Sequence, residues 1–404
     1  MTRIDASSRS GGSLSDSTGL AGVLNIDDFR RRARRRLPRS FFDYIDRGAE
    51  DERALGRNRD SLSRMAYVPR VLVDTSSRDT GTVLFGRRVA APMVIAPTAA
   101  AGLLWHQGES ALASAASDVG IPFTLSTASI APLEQVARDA GGALWFQLYA
   151  YPDLSLTHEL VDRVAQAGYR ALLVTVDTTV GPNREYNRRS GFHVPLRPGP
   201  RLAWECMTHP RWSIGVVLRH WLTAGMPAFV NLPTSLRTDL RGRSASPNLM
   251  PKNDAISWPL IEQIRTRWRG PLVIKGLLHR EDALAAIACG ADGIVVSNHG
   301  GRNLDAVVSP LEVLPEIAEA VAGRITVLMD GGIRRGADIA KALTLGADAV
   351  LVGRSALWGV ACAGRAGAVQ ALRILQTELS RVMAQTGVRE IAQLRGLAYR
   401  VRHE

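Results

Sequence analysis

His299 stands in a block, SNHGGR (297–302), that sets an imidazole two residues from the hydroxyl of Ser297 and three from the guanidinium of Arg302. Similar polar side chains close other apolar runs. Gln147 and Tyr149 end LWFQLY, Thr175 and Asp177 end ALLVTVD with Arg184 shortly after, Lys275 ends LVIKG, and Asp330 ends TVLMDGG. An imidazole titrates near neutrality and suits proton transfer, and guanidinium forks suit carboxylates and phosphates. Two glycine-rich turns, DGGIRRG (330–336) and GRS (353–355), add backbone amides that can approach an anion, with Arg334 or Arg354 supplying charge. Any one of these residues alone reads as a solvated loop side chain. Their value depends on whether the fold brings them together.

The elements that must do so repeat through the chain. From residue 90 a short apolar or β-branched run, a turn and a stretch of helical apolar spacing recur. The runs cover 93–99, 122–127, 144–149, 171–177, 272–276, 293–300, 326–332 and 349–354, with crossover helices expected in segments such as 133–140, 280–289 and 334–346. Strands alternating with helices imply a parallel sheet, and eight units predict a closed (β/α)8 TIM barrel of the α/β class. An open doubly wound sheet is the alternative, but no GxGxxG follows the first strand. In a barrel the carboxyl ends of the strands share one mouth, so the polar groups converge there. With the two glycine turns beside Lys275 and Gln147, this implies a phosphorylated cofactor whose ring lies across the mouth.

The rhythm breaks once. An insertion at 190–253 follows strand 4, carrying HPRW (209–212), a helix-like stretch WSIGVVLRHWL (212–222) and a Pro, Ser and Arg-rich loop. Such long connections serve as lids, binding loops or partner contacts. Trp204, Trp212 and Trp221 alternate there with Arg201, Arg211 and Arg219, a composition suited to a membrane surface, while a lid packed on its own barrel fits equally. Residues 1–24 are expected to form a disordered tail, 25–89 an N-terminal helical segment and barrel lead-in, 90–390 the barrel, and 391–404 a C-terminal tail.

Taken together, SNHGGRNLD (297–305), FFDYIDRGAED (41–51), APTA (96–99), FQLY (146–149), TVD (175–177), VIKG (273–276) and DGGIRRG resemble the FMN-dependent L-2-hydroxy acid oxidases and dehydrogenases, the glycolate oxidase-like family. The likeness runs from about residue 25 to the C-terminus, and APTAAAGLLW, STAS (126–129) and HPRW are most similar to the mandelate dehydrogenase branch. The resemblance implies non-covalent FMN and oxidation of an L-2-hydroxy acid to the 2-oxo acid. It implies His299 as general base, Asp177 as its orienting partner, and Arg302, Arg184, Tyr44 and Tyr149 around the substrate. Ala99, Ser126, Gln147, Thr175, Lys275 and Ser297 correspond to contacts with the flavin ring and its surroundings, Asp330 to the ribityl chain, and Gly332, Arg334, Gly353 and Arg354 to the phosphate. Ala128 stands where glycolate-type enzymes carry a large aromatic residue, which predicts a bulky, mandelate-like substrate. A lactate- or glycolate-type enzyme is the alternative, as is another flavin barrel of the isomerase or dihydroorotate type, or a barrel that binds flavin or acid without turnover. The electron acceptor is open among oxygen, a quinone and a carrier, and the family habit implies a homotetramer.

Composition sets the outer bounds. Of 404 residues 46% are hydrophobic and 22% charged, which supports a sizeable core and excludes a disordered or collagenous chain. Cys206, Cys289 and Cys362 lie far apart without a CxxC spacing, against a zinc module or disulfide framework, so no metal is expected. The formal charge is +12, nearly all from arginine, since only Lys252, Lys275 and Lys341 are lysines. The dense block RRRARRR (30–36) lacks the interleaved aromatics of a nucleic-acid groove, so no nucleic-acid partner is expected. No run approaches the roughly 20 apolar residues of a membrane span, and the expected location is cytoplasmic or peripheral at the inner face of the membrane.

Overall fold

The structure is a computed structural model that describes residues 19–192, 199–225, 227, 229–232 and 254–402. Its centre is a closed barrel of eight parallel strands: β1 (Met93–Ile95), β2 (Phe123–Ser126), β3 (Leu144–Leu148), β4 (Ala171–Thr175), β5 (Leu272–Leu277), β6 (Gly293–Val296), β7 (Thr326–Met329) and β8 (Ala349–Val352). Each strand lies within or across one of the apolar runs. The strands pair in chain order, and β8 closes on β1 through Val350–Met93 to Val352–Ile95. Leu133–Ala140, Arg280–Ala288 and Gly336–Thr344 form crossover helices where the apolar spacing predicted them.

Strand alternation divides the core in two. Trp145, Leu173, Val273, Val295 and Leu328 pack in the barrel interior, joined by Leu84, Phe85 and Val89 of a short hairpin (Thr82–Leu84 with Arg87–Val89). Phe85 meets Trp145 edge-on at 5.5 Å, so the hairpin plugs the amino-terminal end. The other strand face, with Leu172, Val174, Ile274 and Ile294, packs against the helices in the larger core.

Before the barrel come α1 (Ile26–Arg36), α2 (Arg39–Asp46) and α3 (Arg53–Arg64). Asn25 caps α1 by accepting from the Asp28 N–H, and acidic residues in its first turn with arginines in its last complement the helix dipole. The arginine-rich block is therefore the exposed side of a helix whose Ile26, Phe29 and Ala33 are buried. After β8, α4 (Arg354–Thr386) runs back along the barrel with a non-helical break at Ala363 and Gly364.

Two terminal expectations are corrected. Leu20 and Val23 are buried, so the last residues of the expected 1–24 tail pack on the fold; residues 1–18 lie outside the described residues. The expected C-terminal tail contains a 3-10 turn (Ile391–Gly396) and a strand (Tyr399–Val401) paired antiparallel with Met65–Tyr67. Burial of Ile391 and Leu394, together with that ladder, holds it on the barrel. In the insertion, helix Pro200–Thr208 is followed by a continuous helical stretch, Pro210–Trp212, a π-helical Ser213–Leu218 and Arg219–Ala224. Trp212 is buried and its indole N–H donates to the Leu103 carbonyl at 2.8 Å, anchoring this stretch to the loop after β1. Residues 193–198, 226, 228 and 233–253 of the insertion lie outside the described residues.

Candidate active site

A side chain two residues beyond an inward apolar residue points inward again, one layer nearer the mouth. Trp145, Leu173, Val273, Val295 and Leu328 are followed in this way by Gln147, Thr175, Lys275, Ser297 and Asp330. The period of two thus builds a polar layer over an apolar one. Above it opens a cavity of about 870 Å3, within the range for a ligand or cofactor site.

Lys275 Nζ pairs with Asp330 Oδ2 at 2.9 Å and donates to Ser297 Oγ at 2.8 Å. Burial alone would lower its pKa, but Asp330 and Asp177 outweigh that and raise it, so Lys275 is a cation at neutral pH. Ser297 also accepts from the His299 N–H at 3.1 Å. It is fully buried and absent from the cavity wall, so it supports Lys275 and His299 from beneath. On β2 and β3, the Ser126 hydroxyl donates to Gln147 Oε1 at 2.8 Å. Gln147 Nε2, Thr175 Oγ1 and Asp330 Oδ1 are buried without a hydrogen-bond partner among the described residues. Buried polar groups are rarely left so, and three on one cavity wall imply a polar ligand there.

His299 Nδ1 and Asp177 Oδ1 are 2.9 Å apart, and both side chains are largely buried. Gly276 makes this approach possible: its φ is +111°, and a Cβ there would lie 2.6 Å from the Asp177 Cβ. Burial pushes the imidazole below its ordinary pKa against the opposing pull of Asp177, with Lys275 and Arg184 adding to the depression. At neutral pH His299 is therefore uncharged, and Asp177, held below its ordinary value by His299 and Lys275 despite burial, is a carboxylate. Asn303 Nδ2 fixes the Asp177 carbonyl at 2.8 Å. Asn303 was not among the expected site residues, although it sits in the same SNHGGRNLD block.

Arg184 and Arg302 line the cavity near Tyr44, Tyr149 and Ala128. Neither forms an ion pair among the described residues; Arg302 donates to the Arg47 carbonyl at 2.9 Å and Arg184 to the Arg302 carbonyl at 3.2 Å. Arg302 also lies over the Tyr44 ring, 5.3 Å from its centroid. Burial and the adjacent Arg302 depress the Arg184 pKa, and burial raises that of Tyr149. Phe192 and Phe229 of the insertion complete the wall, with Phe192 stacked on Tyr44 at 4.6 Å.

Gly332, Arg334, Gly353 and Arg354 also line the cavity, while Ala99 lies on the wall after β1. Arg354 donates to the carbonyls of Asp46, Gly300 and Arg47 at 3.1, 2.9 and 3.1 Å. Arg334 lies 4.4 Å from the centroid of the Trp358 ring. Burial first and neighbouring guanidiniums second push Arg354 down to about 9 and Arg334 to about 10. Two buried guanidiniums that form no ion pair among the described residues, beside glycine turns, fit a phosphate. The expected site residues thus share one cavity, save Ser297 and Asp177, which stand behind its wall. The carbonyls of Asp46 and Arg47 were not foreseen, because a backbone acceptor leaves no mark on residue type.

Residues 33–400 match the family model described as FMN-dependent dehydrogenase. The chain belongs to that family. It is 40% identical over 374 residues to the (S)-mandelate dehydrogenase of Pseudomonas putida, covering 92% of each chain. It is 43% identical over 373 residues to the L-lactate dehydrogenase of Caulobacter vibrioides, covering 92% of this chain and 96% of the relative. Among solved structures, the monotopic membrane protein (S)-mandelate dehydrogenase superposes with a TM-score of 0.86 at 38% identity, over 92% of this chain and 98% of the other. A mandelate oxidase variant with (S)-mandelic acid gives 0.79 at 35% identity, over 94% and 99%. The protein is an FMN-dependent 2-hydroxy acid dehydrogenase/oxidase with FMN as its cofactor. Identity does not separate mandelate from lactate, so the substrate must be argued from the cavity.

Proposed function

We propose that the chain oxidises L-2-hydroxy acids with a bulky, preferably aryl, side chain to the 2-oxo acid, using His299 as the base. The observation that carries this reading is the His299–Asp177 pair at 2.9 Å beside a cavity whose two arginines, Arg184 and Arg302, form no ion pair among the described residues. Arg302 and Arg184 bind the substrate carboxylate, and Tyr44 and Tyr149 add hydrogen bonds. His299, with its proton on Nδ1 facing Asp177, offers Nε2 to take a proton from the substrate. Asp177 then stabilises the imidazolium.

FMN, when bound, supplies the two-electron acceptor. Gln147, Thr175, Ser126, Lys275 and the Ala99 backbone would hold its ring, Asp330 its ribityl chain, and Gly332, Gly353, Arg334 and Arg354 its phosphate. Lys275 keeps a fixed positive charge beside the ring site, where negative charge develops on reduction.

Ala128 supports the bulky substrate. It is buried on the cavity wall, where a methyl group takes up little of the space. Filling that space with an apolar ring is worth roughly 1–3 kcal/mol, a ten- to hundredfold preference. The test compares kcat/KM for L-mandelate, 4-hydroxymandelate, L-lactate and glycolate in wild type and Ala128→Trp. The expected result is preference for the aryl acids and its loss in the variant; equal use of glycolate by the wild type would overturn the assignment.

The reading extends to a peripheral membrane contact. Ile214, Leu218, Trp221 and Leu222 are exposed at helical spacing, while Trp212, Val216 and His220 of the same stretch are buried. Trp204 and Met207 add exposed apolar surface on the preceding helix. Such a face suits a bilayer interface, and no described helix is long and apolar enough to cross one. The homotetramer implied by the family resemblance completes the reading, and sedimentation of the flavin-loaded protein would read it directly.

A further inference from the structure

We infer that Asn58, on α3 outside the barrel, is a positioning residue for His299. The inference rests on the role proposed above for His299.

One face of α3 lies along the loop that follows β6. The Ala54 N–H donates to Asp305 Oδ1 at 2.8 Å, Arg57 donates to the Val307 carbonyl, and Ser61 Oγ meets Ser309 Oγ at 2.8 Å. Between them, Asn58 forms a reciprocal amide pair with Asn298, the residue before His299. Asn58 Nδ2 donates to Asn298 Oδ1 at 2.9 Å, and Asn298 Nδ2 donates to Asn58 Oδ1 at 2.8 Å. Both side chains are buried. Asn298 also accepts from the Gly301 N–H at 3.2 Å and donates to the Val308 carbonyl at 3.1 Å, so one amide ties both ends of the loop to α3.

The loop needs such a tie. His299, Gly300 and Gly301 have φ of 56°, 66° and 71°, three successive residues in the left-handed region. Glycine adopts it freely, but a histidine there is disfavoured and stays only where its surroundings over-determine it. On its own side of the barrel His299 is fixed by Ser297 through its N–H and by Asp177 through Nδ1. On the other side Gly301 packs so tightly on α3 that a Cβ would lie 2.6 Å from the Leu55 nitrogen, and its carbonyl accepts from the Ala49 N–H at 2.9 Å. Within this clamp Asn58 holds the side chain of Asn298, the residue leading into His299. Without it, Asn298 Oδ1 and Nδ2 each lose one of their two partners, and the left-handed turn can relax. His299 then shifts, while Arg302 keeps its bond to the Arg47 carbonyl and Arg354 its bonds to the Asp46 and Arg47 carbonyls, all outside the turn.

The test uses the flavin-loaded protein and three variants: Asn58→Ala, Asn58→Leu, which keeps the volume without the amide, and Ser61→Ala, which removes a neighbouring α3 contact. A displaced base should lower kcat about ten- to a hundredfold with the KM for the acid within about threefold. It should also move the acid limb of the kcat/KM profile toward the ordinary imidazole value, as His299 loses its burial. Flavin affinity should stay unchanged, and Ser61→Ala should lower thermal stability alone. Wild-type kcat and acid limb in folded, flavin-loaded Asn58→Leu or Asn58→Ala would overturn the inference. Equal loss of kcat in Ser61→Ala, or loss of activity in step with loss of flavin, would do the same by showing a general structural role. If His299→Ala still reduces its flavin, the proposed base is wrong, whatever Asn58 does.

Discussion

Replacing Asp177 by asparagine keeps the shape of the site and removes one charge. In the native site Nδ1 of His299 faces a carboxylate at 2.9 Å, which keeps the proton on Nδ1 and leaves Nε2 basic. An asparagine NH2 in the same place would turn Nδ1 into an acceptor and move the proton to Nε2, where the base is needed. The charge matters as well, because proton transfer creates an imidazolium. At this separation, in a largely buried pair, Coulomb attraction is bounded at about 6 kcal/mol for an effective dielectric of about 20. A charge-assisted hydrogen bond is worth about 1.5–3 kcal/mol net. Taking about 3–5 kcal/mol, kcat should fall about a hundred- to several-thousandfold. The KM for the acid should change little, since Arg184 and Arg302 do not depend on Asp177. The pH profile has a definite sign. Neutral His299 is the active form, so activity falls as pH drops through its value; Asp177 raises that value, so its removal should move the acid limb to lower pH. Asp177 itself titrates below its ordinary value, so its stabilising contribution is present above the ordinary carboxylate pKa and lost as pH falls through the folded one. The assay is anaerobic stopped-flow reduction of the flavin by L-mandelate across pH. A rate within about threefold of wild type, with an unmoved acid limb, would refute the orienting role.

Two further perturbations probe the phosphate contacts and the exposed face of the insertion. Arg354→Leu removes a guanidinium held, among the described residues, by backbone carbonyls, so FMN affinity should drop by at least tenfold; the thermal stabilisation by added FMN, about 2.7 kcal/mol at a hundredfold excess over Kd, should shrink accordingly in calorimetry. Trp221→Ser with Leu222→Ser removes two side chains that are 55% and 70% exposed; binding to anionic lipid vesicles in a flotation assay should weaken about tenfold or more with soluble-substrate kcat unchanged, and unaltered flotation would remove the membrane contact.

The barrel was legible because strand alternation and turn chemistry are written in consecutive residues. The polar layer followed from it: Gln147, Thr175, Lys275 and Asp330 close apolar runs and stand two residues beyond inward side chains. Contacts that depend on distant backbone were not legible. The carbonyl of Arg47 accepts from both Arg302 and Arg354, and any residue type would provide it. The Asn58–Asn298 pair joins positions 240 residues apart, and neither asparagine differs in sequence from a loop or helix-surface residue. The C-terminal segment was missed because Tyr399–Val401 is short and exposed, and its strand exists only through pairing with Met65–Tyr67. In the insertion, tryptophan content alone left lid and membrane readings equal. Burial separates the roles: Trp212 anchors to the barrel, while Trp204 and Trp221 face outward.

The central claim is that His299, held by Asp177, takes the substrate proton that accompanies reduction of the flavin. It is tested most directly by mixing FMN-loaded wild type and His299→Ala with L-mandelate anaerobically and following flavin absorbance in a single turnover. The account predicts complete bleaching of the wild type, and a variant that keeps its FMN and binds the acid but reduces at least about a hundredfold more slowly. Bleaching of the variant at a near wild-type rate would contradict it.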